Sequence, residues 1–498
     1  MNKKEALKIY KEYMDKLTAY GLVMGTTYFD KSTIAPSAGS EYRNEKMSIM
    51  DGEMFTIQTD PKLIEAVQFL SSQDLGKLRN RDIAIAMKAL TEIIKFTKEE
   101  SMEFSLACME GFDTWQKAKR TNKYKLYEHK LLKLIELSKQ RAKKRNPKIK
   151  AYDVLLDDYE EGMNIKKYDE FFSLIKKELL PLIKKIDKKK GYIDDSFLYK
   201  YYPADKQAKF MEVLKEYLGF DSSWGYMGVS EHPFTSGFSR NDVRITTSYD
   251  EYNITGAIYS FIHECGHAYY EHQIDEYKDY YNLDSVSSGM HESQSRFFEN
   301  YLGRRESFFK LIYPKLQEIF PENLKDVSLK QFIKAVNVSK CSLIRTDADE
   351  LTYPIHILIR YEMEKDIFAN KIDLKNLNNI WKKKYKDYLG IDVKKDSDGL
   401  MQDVHWSEAM FGYFPTYALG SAVGAQLLNK MEKDLDIDKL LSEGKFKVIT
   451  DYLKKNIQRY GALYTMDEIL LKATGKKFDP KYYINYLKKK YSKLYDIK

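Results

Sequence analysis

"FIHECGHAYYEH", residues 261–272, places three histidines and two glutamates within twelve positions of a 498-residue chain that has eight histidines in all. The flanking run "EYNITGAIYSFIHECGHAYYEHQI", 251–274, lacks proline, and its apolar residues recur at three- and four-residue spacing, which predicts a helix. On a helix, residues four apart share a face one turn apart, so His263 and His267 can aim at one ion. Glu264, beside His263, can reach over the same position without binding it. Cys265 lies ~200° around from His263 and is expected to pack on the opposite side. His272 falls off the ligand face and reads as a surface residue.

The pattern H-E-x-x-H is the signature of helices in which two neutral imidazoles hold a divalent ion and the glutamate acts as general base. A third ligand has to come from elsewhere. In "SSGMHESQSRFFENYLG", 287–303, Glu292 lies 25 residues past His267 on a second predicted helix, with Glu299 as the alternative. Ser293 and Arg296 are placed to orient Glu292, and His291 is expected to support a ligand from outside the coordination shell.

Composition sets the background. A 43% apolar content supports a substantial core, and a net charge of +8 is spread over 82 basic and 74 acidic side chains. Basic clusters such as "IKKIDKKKGY" read as solvated helix ends, and no zinc-finger or RNA-binding signature accompanies them, so no nucleic-acid partner is expected. Three cysteines are too few for a disulfide framework and favour a reduced, cytoplasmic setting. The N-terminal stretch has no apolar run after its lysines, and no window approaches the ~18 apolar residues of a membrane span.

Helical periodicity covers most of the chain. The plainest strand is "DVRITTSY", 242–249, where Val243 and Ile245 alternate with Asp242, Arg244 and Thr246. The expected organisation is a helical N-terminal lobe over 1–200, a motif-bearing part over 201–430 and C-terminal helices over 431–498, in one unit of 1–498.

Six stretches stand in order: "HPF" at 232–234, "DVRIT" at 242–246, "HECGH" at 263–267, "HESQSR" at 291–296, "IRTDAD" at 344–349 and "GLMQDVHWSEAMFGYFPTY" from Gly399. Together they resemble the thermostable-type metallocarboxypeptidases of the M32 peptidase family. The resemblance implies a mainly α fold in two lobes around a deep active-site groove, with one small β-sheet beside the metal, similar to neurolysin and angiotensin-converting enzyme. It further implies a cytosolic homodimer that removes single residues from the free C-termini of peptides, using one zinc or cobalt ion per chain. His263, His267 and Glu292 become the ligands and Glu264 the base.

Amide hydrolysis develops an oxyanion, which needs donors already aimed at it. The spacing of His405, Tyr413 and Tyr417 is similar to the His and Tyr pair that grips the substrate carbonyl in neurolysin-like enzymes. His405 is therefore the expected substrate binder and Tyr417 the oxyanion donor, with Tyr413 as the other tyrosine. A free terminal carboxylate matches a guanidinium, which makes Arg345 the first candidate reader and Arg244 the second. For Arg345 the alternative is an ion pair with Asp347 or Asp349. The polar face of the 242–249 strand can instead hold peptide backbone or tie the sheet to a helix, and His232 is read as positioning that sheet. Two other readings of the whole chain stay open: an endo-acting oligopeptidase on the same scaffold, and a helical binding protein without activity.

Overall fold

A computed structural model describes residues 1–189, 191–277, 280–284 and 286–497. Helices dominate, and among the described residues there is one sheet, of three strands. Among those residues no helix is long and apolar enough to cross a membrane.

The hydrophobic core does not divide near residue 200. One continuous core runs from Ala107 to Tyr495, and a smaller one joins Ala6 and Tyr10 to Leu63, Val67, Ile83 and Leu90. The helix Ile165–Asp187 packs on both Tyr353–Phe368 and Lys481–Leu494, while Ala204–Leu218 packs on Ile254–Gln273, so one core spans both sides of residue 200.

The sheet has three strands, β1 (Gly225–Val229), β2 (Thr235–Ser239) and β3 (Asp242–Thr247), in the order β1–β3–β2. β1 runs parallel to β3 and β2 antiparallel to it, with Thr235 opposite Ile245. The expected strand thus ends at Thr247 rather than Tyr249. Val243 and Ile245 are buried as the alternation requires. Thr246 is buried as well, because its hydroxyl is bonded to Ser230 and receives the Phe234 N–H.

The motif helix, Ile254–Gln273, starts at Asn253, whose side chain accepts from the Thr255 N–H. It lies between the sheet and the carboxylate helix, Ser288–Arg296. Two glycines set these distances. A Cβ on Gly266 would sit 2.5 Å from the Gln294 carbonyl oxygen, so the motif helix and the carboxylate helix touch backbone to backbone. The long helix Phe414–Asp434 packs on the other side of the carboxylate helix, where a Cβ on Gly420 would meet the Glu292 side chain at 2.7 Å. Glycine is required at both places because any side chain would wedge the helices apart.

A candidate metal centre

Helical spacing does what the sequence implied. His263 and His267 project from one face of the motif helix with ring centroids 5.0 Å apart. The carboxylate helix brings Glu292 opposite them. Its Oε2 lies 3.7 Å from Nε2 of His263 and 3.5 Å from Nε2 of His267. One ligand atom from each of the three residues lies within 4.8 Å of the others. Metal–ligand arms of about 2.0–2.1 Å at tetrahedral angles put ligand atoms ~3.4 Å apart, so the separations from Glu292 fit a small divalent ion. The donor set, two imidazoles and one carboxylate, is that of such ions.

The surrounding groups hold these ligands in register. Glu299, the alternative ligand, instead approaches Nδ1 of His263 at 2.8 Å, the outer carboxylate partner that fixes a ligating imidazole. Arg296 donates to Glu292 at 2.7 Å and to Glu299 at 2.9 Å. Ser295, not Ser293, supports the ligand: its hydroxyl donates to Glu292 at 3.2 Å, whereas Ser293 is turned back onto the Met290 carbonyl. Ser295 is three residues past Glu292 and Ser293 only one, which is the helical reason.

His267 is held differently. Its Nδ1 is buried without a hydrogen-bond partner, and its ring stacks on His291 at 4.3 Å and 17°. His291 is in turn anchored by Glu271 at 2.8 Å. The supporting role expected of His291 is thus a stacking one.

Burial and neighbouring charge set the protonation states. Burial disfavours ionised Glu292, but Arg296 and the two imidazoles outweigh it and hold the carboxyl well below the usual range. Glu299 is likewise held at about 2, Arg296 being the main opposing charge. Burial pushes His267 down to about 3, so the ring is neutral. Burial pushes Glu264 up, with His263 and Thr235 partly countering it.

Glu264 is buried and receives a 2.5 Å hydrogen bond from the Thr235 hydroxyl on β2. Thr235, directly after the "HPF" stretch, went unnoticed because a single hydroxyl carries no spacing signal. Cys265 is fully buried on the opposite face, as expected. His272 is half-buried rather than free on the surface: it stacks on Trp224 at 4.0 Å and its Nδ1 meets the Arg240 carbonyl.

His405 and Tyr417 come together, with Nε2 3.1 Å from the tyrosine oxygen. Tyr413 packs edge-on against Tyr417 at 5.2 Å. Burial, then Arg345, pushes His405 down to about 3, so the ring is neutral. Burial, then Glu292, pushes Tyr413 up to about 12, and Tyr417 is raised further, so both hydroxyls keep their protons as donors.

Arg345 is buried beneath Tyr417, its guanidinium carbon 4.9 Å from the ring centre. Its ion pair is with Asp403 at 2.8 Å, not with Asp347 or Asp349, and it also donates to Tyr353. Asp403 shares a second guanidinium, Arg360, a partner separated by 43 positions. Arg244 is paired with Asp242 at 2.8 Å and covers the rings of Phe238 and of Phe29 on the first helix, so it ties the sheet to that helix. The His232 side chain is exposed, and only its carbonyl serves the sheet, by accepting from Ser230.

Paired imidazoles, a buried glutamate and a carboxylate from the next helix define a metallopeptidase centre. The family model described as carboxypeptidase Taq (M32) metallopeptidase matches residues 9–491, and the chain belongs to that family. It is 39% identical over 492 residues to carboxypeptidase 1 of Bacillus subtilis (strain 168), spanning 97% of this chain and 98% of that one. With thermostable carboxypeptidase 1 of Thermus thermophilus it shares 32% over 496 residues, 96% of this chain and 97% of the other. The crystal structure of the M32 carboxypeptidase from Deinococcus radiodurans R1 superposes with a TM-score of 0.94 at 30% identity, covering 99% of each chain. The protein is therefore a metallocarboxypeptidase, a peptide hydrolase dependent on a divalent metal.

Proposed function

We propose that the chain removes residues singly from peptides with a free C-terminus, with Glu264 as general base and then general acid. The observation that carries this reading is the buried Glu264 carboxylate next to the converging set His263, His267 and Glu292. When bound by those three residues, a zinc or cobalt ion supplies Lewis-acid polarisation of the scissile carbonyl and of the attacking water. Glu264 accepts the proton of that water and delivers it to the leaving amine, and Thr235 holds the carboxylate in place. Tyr417, with His405 beside it and Tyr413 against it, donates to the oxygen that gains charge. Arg345, under Tyr417, reads the terminal carboxylate, with Arg244 as the other guanidinium on the sheet. By resemblance to the family, the working form is a cytoplasmic homodimer.

The test is a panel of peptides with free and amidated C-termini, incubated with and without chelator and read by mass. Stepwise loss from free ends only, abolished by chelator, is the expected result. Equal cleavage of amidated peptides would instead make the chain an endo-acting oligopeptidase, and trimming that survives chelation would remove the metal from the reaction.

A further inference from the structure

Glu364 is a fully buried carboxylate on the helix Tyr353–Phe368, away from the metal ligands. Among the described residues its three hydrogen-bond donors are all uncharged. Trp406 Nε1 donates to Oε1 at 2.6 Å, while Tyr152 and the Gly412 backbone N–H donate to Oε2 at 2.8 and 2.9 Å. Trp406 is the residue after His405, and Gly412 is the residue before Tyr413. One side chain therefore grips both ends of the 405–413 loop, next to each of its polar aromatic residues.

The loop needs such a grip. It opens with a single helical turn, His405–Glu408, then bends through Ala409 at φ 57° and Gly412 at φ 95°. A Cβ at Gly412 would stand 2.7 Å from the Leu155 carbonyl oxygen, so the backbone is pressed against the helix Ala151–Tyr159. Tyr159 of that helix meets Tyr413 edge-on at 5.0 Å, and Tyr152 of the same helix donates to Glu364. Arg360, one turn before Glu364, fastens Asp403 just ahead of the loop. Burying a carboxylate is costly unless its lone pairs are filled, and a site needing only bulk here would be apolar. A carboxylate accepts on both oxygens, whereas an amide offers one acceptor and presents two donors.

We propose that Glu364 is a positioning residue for peptide cleavage, holding the 405–413 loop from both flanks so that His405 and Tyr413 face the metal centre. This rests on the reading of His405 and the two tyrosines given under the proposed function.

The experiment compares Glu364→Gln, Trp406→Phe and the double variant with the parent enzyme for kcat, KM, bound metal and Tm. In Glu364→Gln the oxygen can keep Tyr152 and Gly412, but the amide N–H then opposes Trp406 Nε1–H. The expected result is full metal content, little change in KM and a kcat lower by about 10–100-fold, the scale of a reacting group displaced by ~1 Å. Trp406→Phe removes the opposing donor, so the double variant should recover about tenfold over Glu364→Gln. A merely structural role predicts instead that any loss follows Tm and bound metal, with no separate fall in kcat at full metal content, since the effects of two touching residues need not add. Parental kcat in Glu364→Gln, no recovery in the double variant, or a loss that tracks lost metal overturns the proposal. Should Glu364→Gln fail to fold, Trp406→Phe alone decides: kcat must fall with metal retained, and an unchanged kcat overturns it. His405→Asn is measured in parallel. If it is fully active, the underlying reading fails; if it is impaired while Glu364→Gln is not, only this proposal does.

Discussion

Thr235 donates a 2.5 Å hydrogen bond to the carboxylate of Glu264, a residue 29 positions further along the chain. The hydroxyl favours the ionised acid, while burial favours the neutral one, and the balance leaves Glu264 raised. Removing the donor leaves burial less opposed. Thr235→Val should therefore move the acid limb of kcat/KM to higher pH, by about one unit for one hydrogen bond to a charged group. A pH–rate profile that keeps the parental limb would show that Thr235 does not tune the base.

The 2.8 Å contact between Glu299 and Nδ1 of His263 gives a second prediction. Outer carboxylate partners of ligating histidines typically change metal affinity about 10–100-fold. Glu299→Gln should weaken metal binding on that scale, measured by competition with a chelator, and activity should return with added metal. Glu292→Ala, which removes a ligand, should not be rescued.

Tyr417→Phe deletes one hydroxyl and leaves the ring beside Arg345 and His405. Loss of one oxyanion donor costs about 10²–10³ in kcat. The effect should fall on kcat, with KM nearly unchanged, and an equal rise in KM would instead mark Tyr417 as a ground-state binder.

Gly420→Ala places a Cβ against Glu292, with its Cβ and Cγ only 2.7 Å away. Overpacking of this kind costs about 1–3 kcal/mol. If Glu292 holds the metal as proposed, bound metal should drop together with Tm. A variant that loses Tm but keeps full metal affinity would show that the long helix does not locate Glu292.

Glu160 is buried at the start of the carboxylate helix, where it accepts the Gly289 N–H at 3.1 Å. Burial pushes its carboxyl up to about 8, well above the ~4.3 of an unfolded chain. Between those values the folded state holds a proton that the unfolded state has released. Its contribution is thus fully present below ~4.3 and is lost as pH rises towards 8, with a slope of at most about 1.4 kcal/mol per pH unit. Glu160→Gln should flatten that slope, so its Tm relative to the parent should be higher at pH 8 than at pH 5. Parallel Tm curves for the two proteins would contradict this.

Much of the centre was legible beforehand because it depends on short-range geometry. His263 and His267 need only a helix to face the same way, and Arg296 follows Glu292 by one turn of the same helix, whereas Glu299, read as the alternative ligand, lies in a π-helical turn and meets His263 instead. Contacts set by the tertiary fold are less legible. Arg345 finds Asp403, 58 positions on, rather than the nearby Asp347 or Asp349, and Arg244, besides its local partner Asp242, covers Phe29 of the first helix. That Trp224 stacks on half-buried His272 is likewise not visible locally. β1 and β2 were missed, being five-residue strands without clear alternation.

The chain by itself determined a mostly helical protein with a two-histidine face and a glutamate beside it, since periodicity and spacing are properties of single helices. Only the tertiary structure decided how near Glu292 comes to that face, that Thr235 rather than another hydroxyl meets Glu264, and that Glu364 closes on both ends of the 405–413 loop. Those relationships depend on where helices touch. Contact is set by side-chain volume at Gly266 and Gly420 and by buried hydrogen bonds between segments hundreds of residues apart, which no local pattern encodes.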